Sequence, residues 1–177
     1  TREITSEESH TGKYSLKFKD ALSFSGVYLN APYIDVEPGK KYTISAWFKC
    51  DENKRALINW HELSNNTSHY KSKQGTGEWE YIEYTYRAPS NCEKLRVYLY
   101  GHKSGSDVIY YDDIRVYPEN AQMTTYTYDP LVGMTSKTGL TNQPVYFEYD
   151  DFGRLEYKMD QDGNVLKKYN YHYRRDD

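Results

Sequence analysis

Aromatic and polar side chains alternate with aliphatic ones in three short segments of the chain. Alternate residues of a β-strand point to opposite faces, so the aliphatic members predict an inward side. These members are Val27, Leu29, Ile44, Ala46, Val97 and Leu99, and the apolar ring of Phe48 has the same parity as Ile44 and Ala46. The residues between them predict an outward side that carries Tyr28, Trp47, Arg96, Tyr98 and Tyr100. Rings presented in this way can stack on the apolar face of a pyranose, and exposed aromatic patches commonly mark binding sites.

Polar groups suited to sugar hydroxyls flank Trp60. Asn59 and His61 have the amide and imidazole groups that donate and accept hydrogen bonds, and Arg96 adds a guanidinium. Together with the outward rings they predict a glycan-binding face. The alternative is that the rings form ordinary cross-strand pairs, or are covered by loops or by the second half of the chain, and both interpretations stay open.

The composition favours a β-protein that must position these groups. The 177 residues include 21 Tyr and three Trp, and such residues suit a half-buried sheet because the ring packs while its polar end meets water. The 23 basic and 26 acidic residues give a net charge of −3, which argues against a nucleic-acid partner. A mean hydropathy of −0.97, with no long apolar run, argues against membrane insertion.

Short strand-like segments separated by turn residues recur through the first two thirds of the chain. Their regular spacing predicts a β-sandwich or barrel, since no window holds a helical period. The segments are Tyr14–Phe18, Val27–Leu29, Tyr42–Phe48, Ala56–Trp60, Trp79–Tyr86, Leu95–Tyr100 and Val108–Tyr117. Cys50 and Cys92 lack the spacing of a zinc site. A disulfide between them and two free structural thiols both stay open.

The chain repeats after a shift in composition near residue 118, which predicts domains at 1–118 and 119–177. Tyr128-Asp129 recurs as Tyr149-Asp150 after about 21 residues, and Tyr171 begins a third copy. Each unit predicts one β-hairpin, and repeats of this kind need at least ~3 units to bury a shared face. We therefore expect either that this segment packs on the first domain or that the parent protein continues past residue 177.

The first domain resembles the jelly-roll carbohydrate-binding modules and their galactose-binding-like relatives. The resemblance rests on Ser9–Leu16, Val36–Lys49, Gly77–Trp79 and Tyr110–Val116, in the order that the family has them. It implies a jelly-roll β-sandwich with Trp79 in its core. The second domain resembles the tyrosine–aspartate (YD) repeats of the Rhs family, through Tyr149–Leu155 and Asp160–Asn164. That resemblance implies spiralling β-sheets in large secreted or surface proteins, and no catalytic residue.

The resemblance to carbohydrate-binding modules also implies a structural Ca²⁺. In related modules an acidic pair matching Asp112 and Asp113 binds the ion together with the loop that matches Thr11–Lys13, so Thr11 and Lys13 are candidate ligands. Asp112 has the strand parity of Val116, which predicts that it points inward. The alternative is that ion pairs or turn amides satisfy the two carboxylates, because Ca²⁺ needs six to eight oxygen ligands.

Two functions follow from these features. One is a non-catalytic module that binds a glycan or polysaccharide and belongs to a larger secreted or cell-surface Rhs-repeat protein. The other is a purely structural spacer or cap of an Rhs-type β shell, with no glycan ligand. An enzyme is not predicted, since neither a nucleophile motif nor a selected pair of carboxylates is present.

Overall fold

The computed structural model describes residues 2–19, 33–101 and 108–172. The chain divides into two compact units, Thr1–Ala121 (unit 1) and Gln122–Asp177 (unit 2). The described residues consist of strands, turns and loops, which confirms the all-β prediction. They form no helix with the length and apolar character that a membrane span requires. Tyr28, one of the predicted ligand-binding residues, lies outside the described residues.

Unit 1 is built from antiparallel strands. They are β1 (Arg2–Thr5), β2 (Ser15–Lys19), β3 (Ile34–Asp35), β4 (Lys41–Lys49), β5 (Arg55–Glu62), β6 (Thr67–Gln74), β7 (Trp79–Arg87), β8 (Lys94–Gly101) and β9 (Val108–Pro118). Sheet A has the strand order β1-β2-β9-β4-β7, and sheet B has the order β3-β8-β5-β6. Buried side chains from both sheets form one core. This arrangement is the predicted jelly-roll β-sandwich.

The core of unit 1 follows from strict alternation along its central strands. In β5, Ala56, Ile58 and Trp60 are buried, while the residues between them are partly exposed. Trp60 is 2% exposed and is the core tryptophan of the sandwich. The resemblance implied this role for Trp79, which is wrong: Trp79 is opposite Lys49, on the outer side of sheet A, and is only partly buried.

A buried tyrosine links the two sheets. Tyr111 of β9 is fully buried, and its hydroxyl accepts a hydrogen bond from the amide of Leu57 at 2.8 Å. The hydroxyl also lies 2.6 Å from the carbonyl oxygen of Tyr100. Burial raises the pKa of Tyr111, so the group stays neutral. Because Leu57 and Tyr100 belong to sheet B, this hydroxyl anchors sheet B to sheet A. Cys50 and Cys92 are both buried and are not joined by a disulfide, which answers the question left open by the sequence.

A β-bulge in β9 decides where the acidic pair points. Asp112 is opposite Trp47 and Arg115 is opposite Ser45, so two residues of β9 lie across from one residue of β4. Asp113 has a φ of +47°, a conformation that aspartate adopts more readily than most residues. The extra residue reverses the strand parity. The prediction that Asp112 points inward is therefore wrong, and its side chain lies on the outer side of sheet A.

Unit 2 is an antiparallel meander, sheet C. Its strands are β10 (Thr125–Asp129), β11 (Gly133–Thr138), β12 (Pro144–Tyr149), β13 (Leu155–Met159) and β14 (Val165–Lys168), paired in chain order. The hairpin β10-β11 has a bulge between Thr127 and Tyr128, and the hairpin β12-β13 has one between Glu148 and Tyr149. The bulges are about one sequence repeat apart, so each repeat forms the predicted hairpin with the same irregularity.

Aspartate and tyrosine side chains make equivalent contacts in successive repeats of unit 2. Asp150 Oδ1 accepts hydrogen bonds from the amides of Phe152 and Arg154, which closes the β12-β13 turn. Tyr149 donates a hydrogen bond to the carbonyl oxygen of Met134 at 2.9 Å. One repeat later, Tyr171 donates to the carbonyl oxygen of Leu155 at 2.8 Å. The repeat in the sequence is thus a repeat of hydrogen bonds as well as of strands.

Candidate functional site

The outer side of sheet B brings together most of the residues predicted to bind a glycan. Strand pairing places Asn59 of β5 opposite both Tyr98 of β8 and Tyr70 of β6, so the three lie in one row across the sheet. The rows on either side of this row continue the same surface. We call this surface the tyrosine face, and its residues are Tyr33, Leu57, Asn59, His61, Ser68, Tyr70, Ser72, Arg96, Tyr98 and Tyr100.

Aromatic rings are spread over the tyrosine face. The rings of Tyr98 and Tyr100 lie 6.3 Å apart between centroids and are tilted by 51°. Tyr70 is 67% exposed. Two strand spacings separate it from Tyr98, which places the two backbones about 10 Å apart. The distribution suits a ligand longer than one sugar ring, because separate rings can contact separate parts of it.

Two of these tyrosines are absent from the sequence prediction. Tyr70 lies in β6, where lysine, serine and threonine predominate, and this polar composition hides the strand alternation that would have revealed it. Tyr33 precedes a strand of only two residues, β3, which has too few positions to show a period.

Polar side chains surround the rings. The Nδ1 atom of His61 lies 2.9 Å from Ser68 Oγ, which holds the imidazole against β6. The guanidinium carbon of Arg96 lies 4.0 Å from the centroid of the Tyr33 ring. Asn59 lies in the central row between two tyrosines. The face therefore combines rings for stacking with an amide, an imidazole and a guanidinium that can hydrogen-bond hydroxyl groups.

A buried polar network stabilises the opposite, inner side of sheet B. Glu62 is 2% exposed and accepts hydrogen bonds from the Tyr86 hydroxyl at 2.8 Å and from the Asn65 amide at 2.6 Å. Its other neighbour is His69 Nε2 at 2.9 Å. Burial raises the pKa of Glu62, but these hydrogen bonds outweigh it and hold the pKa below its usual value. The carboxylate thus ties the end of β5 to β6 and β7.

Trp47 does not share the tyrosine face. It belongs to β4 in sheet A, whereas Tyr98 and Tyr100 belong to β8 in sheet B. Its ring stacks on the His10 ring at 3.9 Å between centroids and also approaches Tyr81 at 5.5 Å. Strand alternation predicts correctly that Trp47 points away from the core. The prediction of one common face with Tyr98 is wrong, because the two strands lie in opposite sheets.

The acidic pair of β9 is fully engaged in hydrogen bonds. Asp112 Oδ2 accepts from the amides of His10 and Thr11, at 2.8 and 3.1 Å, and Asp112 Oδ1 accepts from the Asp113 amide at 2.7 Å. Asp113 Oδ1 accepts from the Thr11 hydroxyl, and Asp113 Oδ2 lies 2.8 Å from His10 Nδ1. Burial raises the pKa of Asp112, and the neighbouring Asp113 carboxylate raises it further.

This arrangement matches the alternative in which hydrogen bonds satisfy the two carboxylates, and binding of Ca²⁺ by the pair stays a prediction. All four carboxylate oxygens of the pair face hydrogen-bonding groups of the loop or of the pair itself. Lys13 is exposed, with its Nζ 5.7 Å from the centroid of the Tyr14 ring. Within residues 2–19, 33–101 and 108–172, no group of three or more His, Cys, Asp or Glu side chains is arranged to hold a metal ion. Through these hydrogen bonds the pair fastens the 9–13 loop to sheet A.

Solved structures of carbohydrate-binding modules are similar to the chain. A family 61 module, TmCBM61, in complex with β-1,4-galactotriose is 15% identical, with a TM-score of 0.52 over 67% of this chain and 82% of that chain. The family 22 xylan-binding domain of Xyn10C from Paenibacillus barcinonensis is 17% identical, with a TM-score of 0.49 over 68% of this chain and 82% of that chain. At these identities the likeness concerns the fold alone.

Sequence comparison assigns the family. No curated protein matches the chain significantly. The sequence model of the family described as carbohydrate binding domain matches residues 2–106, which is more than half of the chain and includes β1 to β8. The matched region contains the whole of sheet B and every residue of the tyrosine face. The chain therefore belongs to the carbohydrate binding domain family.

Proposed function

We propose that the chain is a non-catalytic, glycan-binding module of a larger secreted or cell-surface Rhs-repeat protein, and that the tyrosine face is its binding site. The observation that carries the proposal is the central row of Tyr98, Asn59 and Tyr70 on sheet B. Stacking removes apolar sugar and ring surface from water, while the amide between the rings is available to sugar hydroxyls. Family membership supports the same ligand class.

The polar groups of the face support binding rather than hydrolysis. Glycoside hydrolysis generally uses two carboxylates on either side of the scissile bond. Besides the tyrosine hydroxyls, the described polar side chains of the tyrosine face are those of Asn59, His61, Arg96 and two serines, none of which is a carboxylate. These groups suit the recognition of hydroxyls.

The hairpin repeats of unit 2 support the assignment to an Rhs-type protein. The bulge recurs at the same place in two successive hairpins, and the tyrosine hydrogen bond recurs from Tyr149 to Tyr171. A unit that repeats its hydrogen bonds can be extended by adding further hairpins. In this proposal unit 1 supplies binding and unit 2 belongs to the repeat array that displays it.

Affinity electrophoresis of the full chain tests the proposal. Gels that contain xylan, β-1,4-galactan, glucuronoxylan, alginate or polygalacturonate are compared with gels that contain no polysaccharide. We expect at least one polysaccharide to retard the chain, and Tyr70→Ala to reduce that retardation. Tyr128→Ala is the matched control, because Tyr128 of unit 2 is 65% exposed and Tyr70 is 67% exposed.

Two results would contradict the proposal. If no polysaccharide retards the folded chain, the structural alternative is favoured, in which unit 1 is a spacer or cap of an Rhs-type β shell. If a polysaccharide retards Tyr70→Ala and Tyr98→Ala as strongly as it retards the unchanged chain and the control Tyr128→Ala, the glycan site lies away from the tyrosine face.

A further inference from the structure

Arg96 differs from the other arginines whose side chains the structure describes, because none of its nitrogens has a protein acceptor among the described residues. Its Nε atom is buried and has no hydrogen-bond partner there. The comparable arginines are all paired: Arg55 with Ser72, Arg87 with the Gly39 carbonyl, Arg115 with Asp113 and Arg154 with Asp150. A half-buried guanidinium without an acceptor forgoes the hydrogen bonds that normally offset its desolvation.

Arg96 nevertheless has a defined position. The guanidinium stacks on Tyr33 at 4.0 Å from the ring centroid. Strand pairing places Arg96 opposite His61. Tyr98 follows two residues later along β8 and lies on the same side of the strand. The stack restricts the orientation of the planar group, and a planar fork of N–H donors matches the two oxygens of a carboxylate. The guanidinium of Arg96 therefore lies beside the rings of the tyrosine face and has no described acceptor for its N–H groups.

Among the described residues, no acidic side chain is paired with Arg96. The nearest acidic residue along β3 is Asp35, whose carboxylate lies 3.8 Å from Lys94 Nζ and is thus already paired. Arg55 adds a second cation at the opposite end of the face. The net charge of −3 for the whole chain does not cancel this local field at contact distance, because salt screens charges beyond about 8 Å at physiological ionic strength.

We infer that the glycan bound by the tyrosine face carries carboxylate groups, as a uronic acid does, and that Arg96 binds one of them. The inference rests on the proposed function and narrows its substrate class from polysaccharides in general to acidic ones. Tyr98 and Tyr70 supply stacking that any pyranose can use. Arg96 distinguishes acidic glycans from neutral ones, because only an acidic glycan offers a carboxylate to the guanidinium.

Paired polysaccharides test this inference. Polygalacturonate, alginate and glucuronoxylan are each compared with the same polymer after chemical reduction of its carboxyl groups to primary alcohols. Binding to the full chain is measured by isothermal titration calorimetry or affinity electrophoresis. We expect at least one native polymer to bind roughly tenfold more tightly than its reduced form, which is the contribution expected of one charge-assisted hydrogen-bonded pair. We also expect the preference to weaken as salt is added.

Substitutions assign the preference to Arg96. Arg96→Gln should bring the two affinities close together, and Arg96→Lys should retain part of the difference because it keeps the charge but loses the planar fork. Arg87→Gln is the matched control, since it removes the same charge from sheet A. Thermal melting of each variant shows whether its fold is intact. If Arg96→Gln does not fold, the affinities of Arg96→Lys for native and reduced polymer are compared with those of the unchanged chain instead.

The outcomes separate the two proposals. Equal binding of native and reduced polymers, or binding of neutral polymers alone, overturns the acidic ligand and leaves glycan binding standing. A preference that Arg96→Gln does not reduce overturns the role of Arg96. Failure of every polymer, neutral and acidic, overturns the proposed function itself and this inference with it.

Discussion

The separation of Trp47 from Tyr98 predicts opposite effects of truncating the two rings. Trp47 packs between His10 and Tyr81 on the outer side of sheet A, and its Nε1 is buried. Loss of such a ring should lower the free energy of unfolding by about 3 kcal/mol, near the lower end for Trp→Ala, because Trp47 is partly rather than fully buried. That loss corresponds to a fall in melting temperature of roughly 10 °C for a domain of this size. Glycan affinity of the folded fraction should not change.

Tyr98→Ala should show the reverse pattern. Tyr98 is half-buried on the tyrosine face, so its truncation should cost about 1 kcal/mol of stability. If a sugar covers about 60 Å² of apolar ring surface, the lost contact is about 1.5 kcal/mol, or roughly a tenfold weaker affinity. Tyr98→Phe is the matched control, because it keeps the ring and should bind nearly as well as the unchanged chain.

The assay pairs a thermal melt by circular dichroism with calorimetric titration of the polysaccharide that retards the chain best. Reduced affinity of Trp47→Ala with an unchanged melting temperature would refute the reasoning, since it would place the glycan on sheet A. A fall of 10 °C for Tyr98→Ala would likewise show that this ring serves the core rather than a ligand.

Three further predictions concern the rest of the molecule. Glu62→Gln should destabilise unit 1 by roughly 1–3 kcal/mol at neutral pH. Because folding lowers the pKa of Glu62 from its usual 4.5, its contribution is present above pH 4.5 and is lost as the pH falls through the folded-state pKa. Urea unfolding at several pH values should show that the difference in the free energy of unfolding between the unchanged chain and Glu62→Gln shrinks in acid, with Glu78→Gln as an exposed control. A difference that does not change with pH would contradict this prediction. If hydrogen bonds alone satisfy Asp112 and Asp113, the melting temperature should be equal in millimolar CaCl2 and in EDTA, whereas a calcium-dependent rise that Asp112→Asn abolishes would support the predicted calcium site. Asp150→Ala should speed hydrogen exchange at the amides of residues 152 and 154, because these amides donate to the Asp150 carboxylate. Asp151→Ala should leave the two exchange rates unchanged. Equal exchange rates in the two variants would argue against the aspartate-capped turn.

Alternation along β4 and β8 was sufficient to predict which side of each strand faces the core. It assigned Arg96, Tyr98 and Tyr100 correctly to the outer side of β8, and Asn59 and His61, predicted as polar groups for the same ligand, lie on the outer side of β5. The hairpin repeat of unit 2 could also be predicted from the sequence, because its turns and strand pairs are formed by residues close in sequence. Local rules suffice wherever the interacting residues are near neighbours along the chain.

Only the tertiary structure decided which sheet each strand joins. Trp47 and Tyr98 have the same parity, yet their strands lie in opposite sheets, and no periodicity within a strand records its long-range partners. The bulge at Asp113 reversed the parity of Asp112 through a single extra residue, a change visible only once β9 is paired with β4. Tyr70 joined the candidate site because β6 pairs with β5, although its own sequence is polar. The sequence by itself thus determined the longer apolar strands and, away from the bulge in β9, their inner and outer sides, while pairing between distant strands determined which outer residues share one surface.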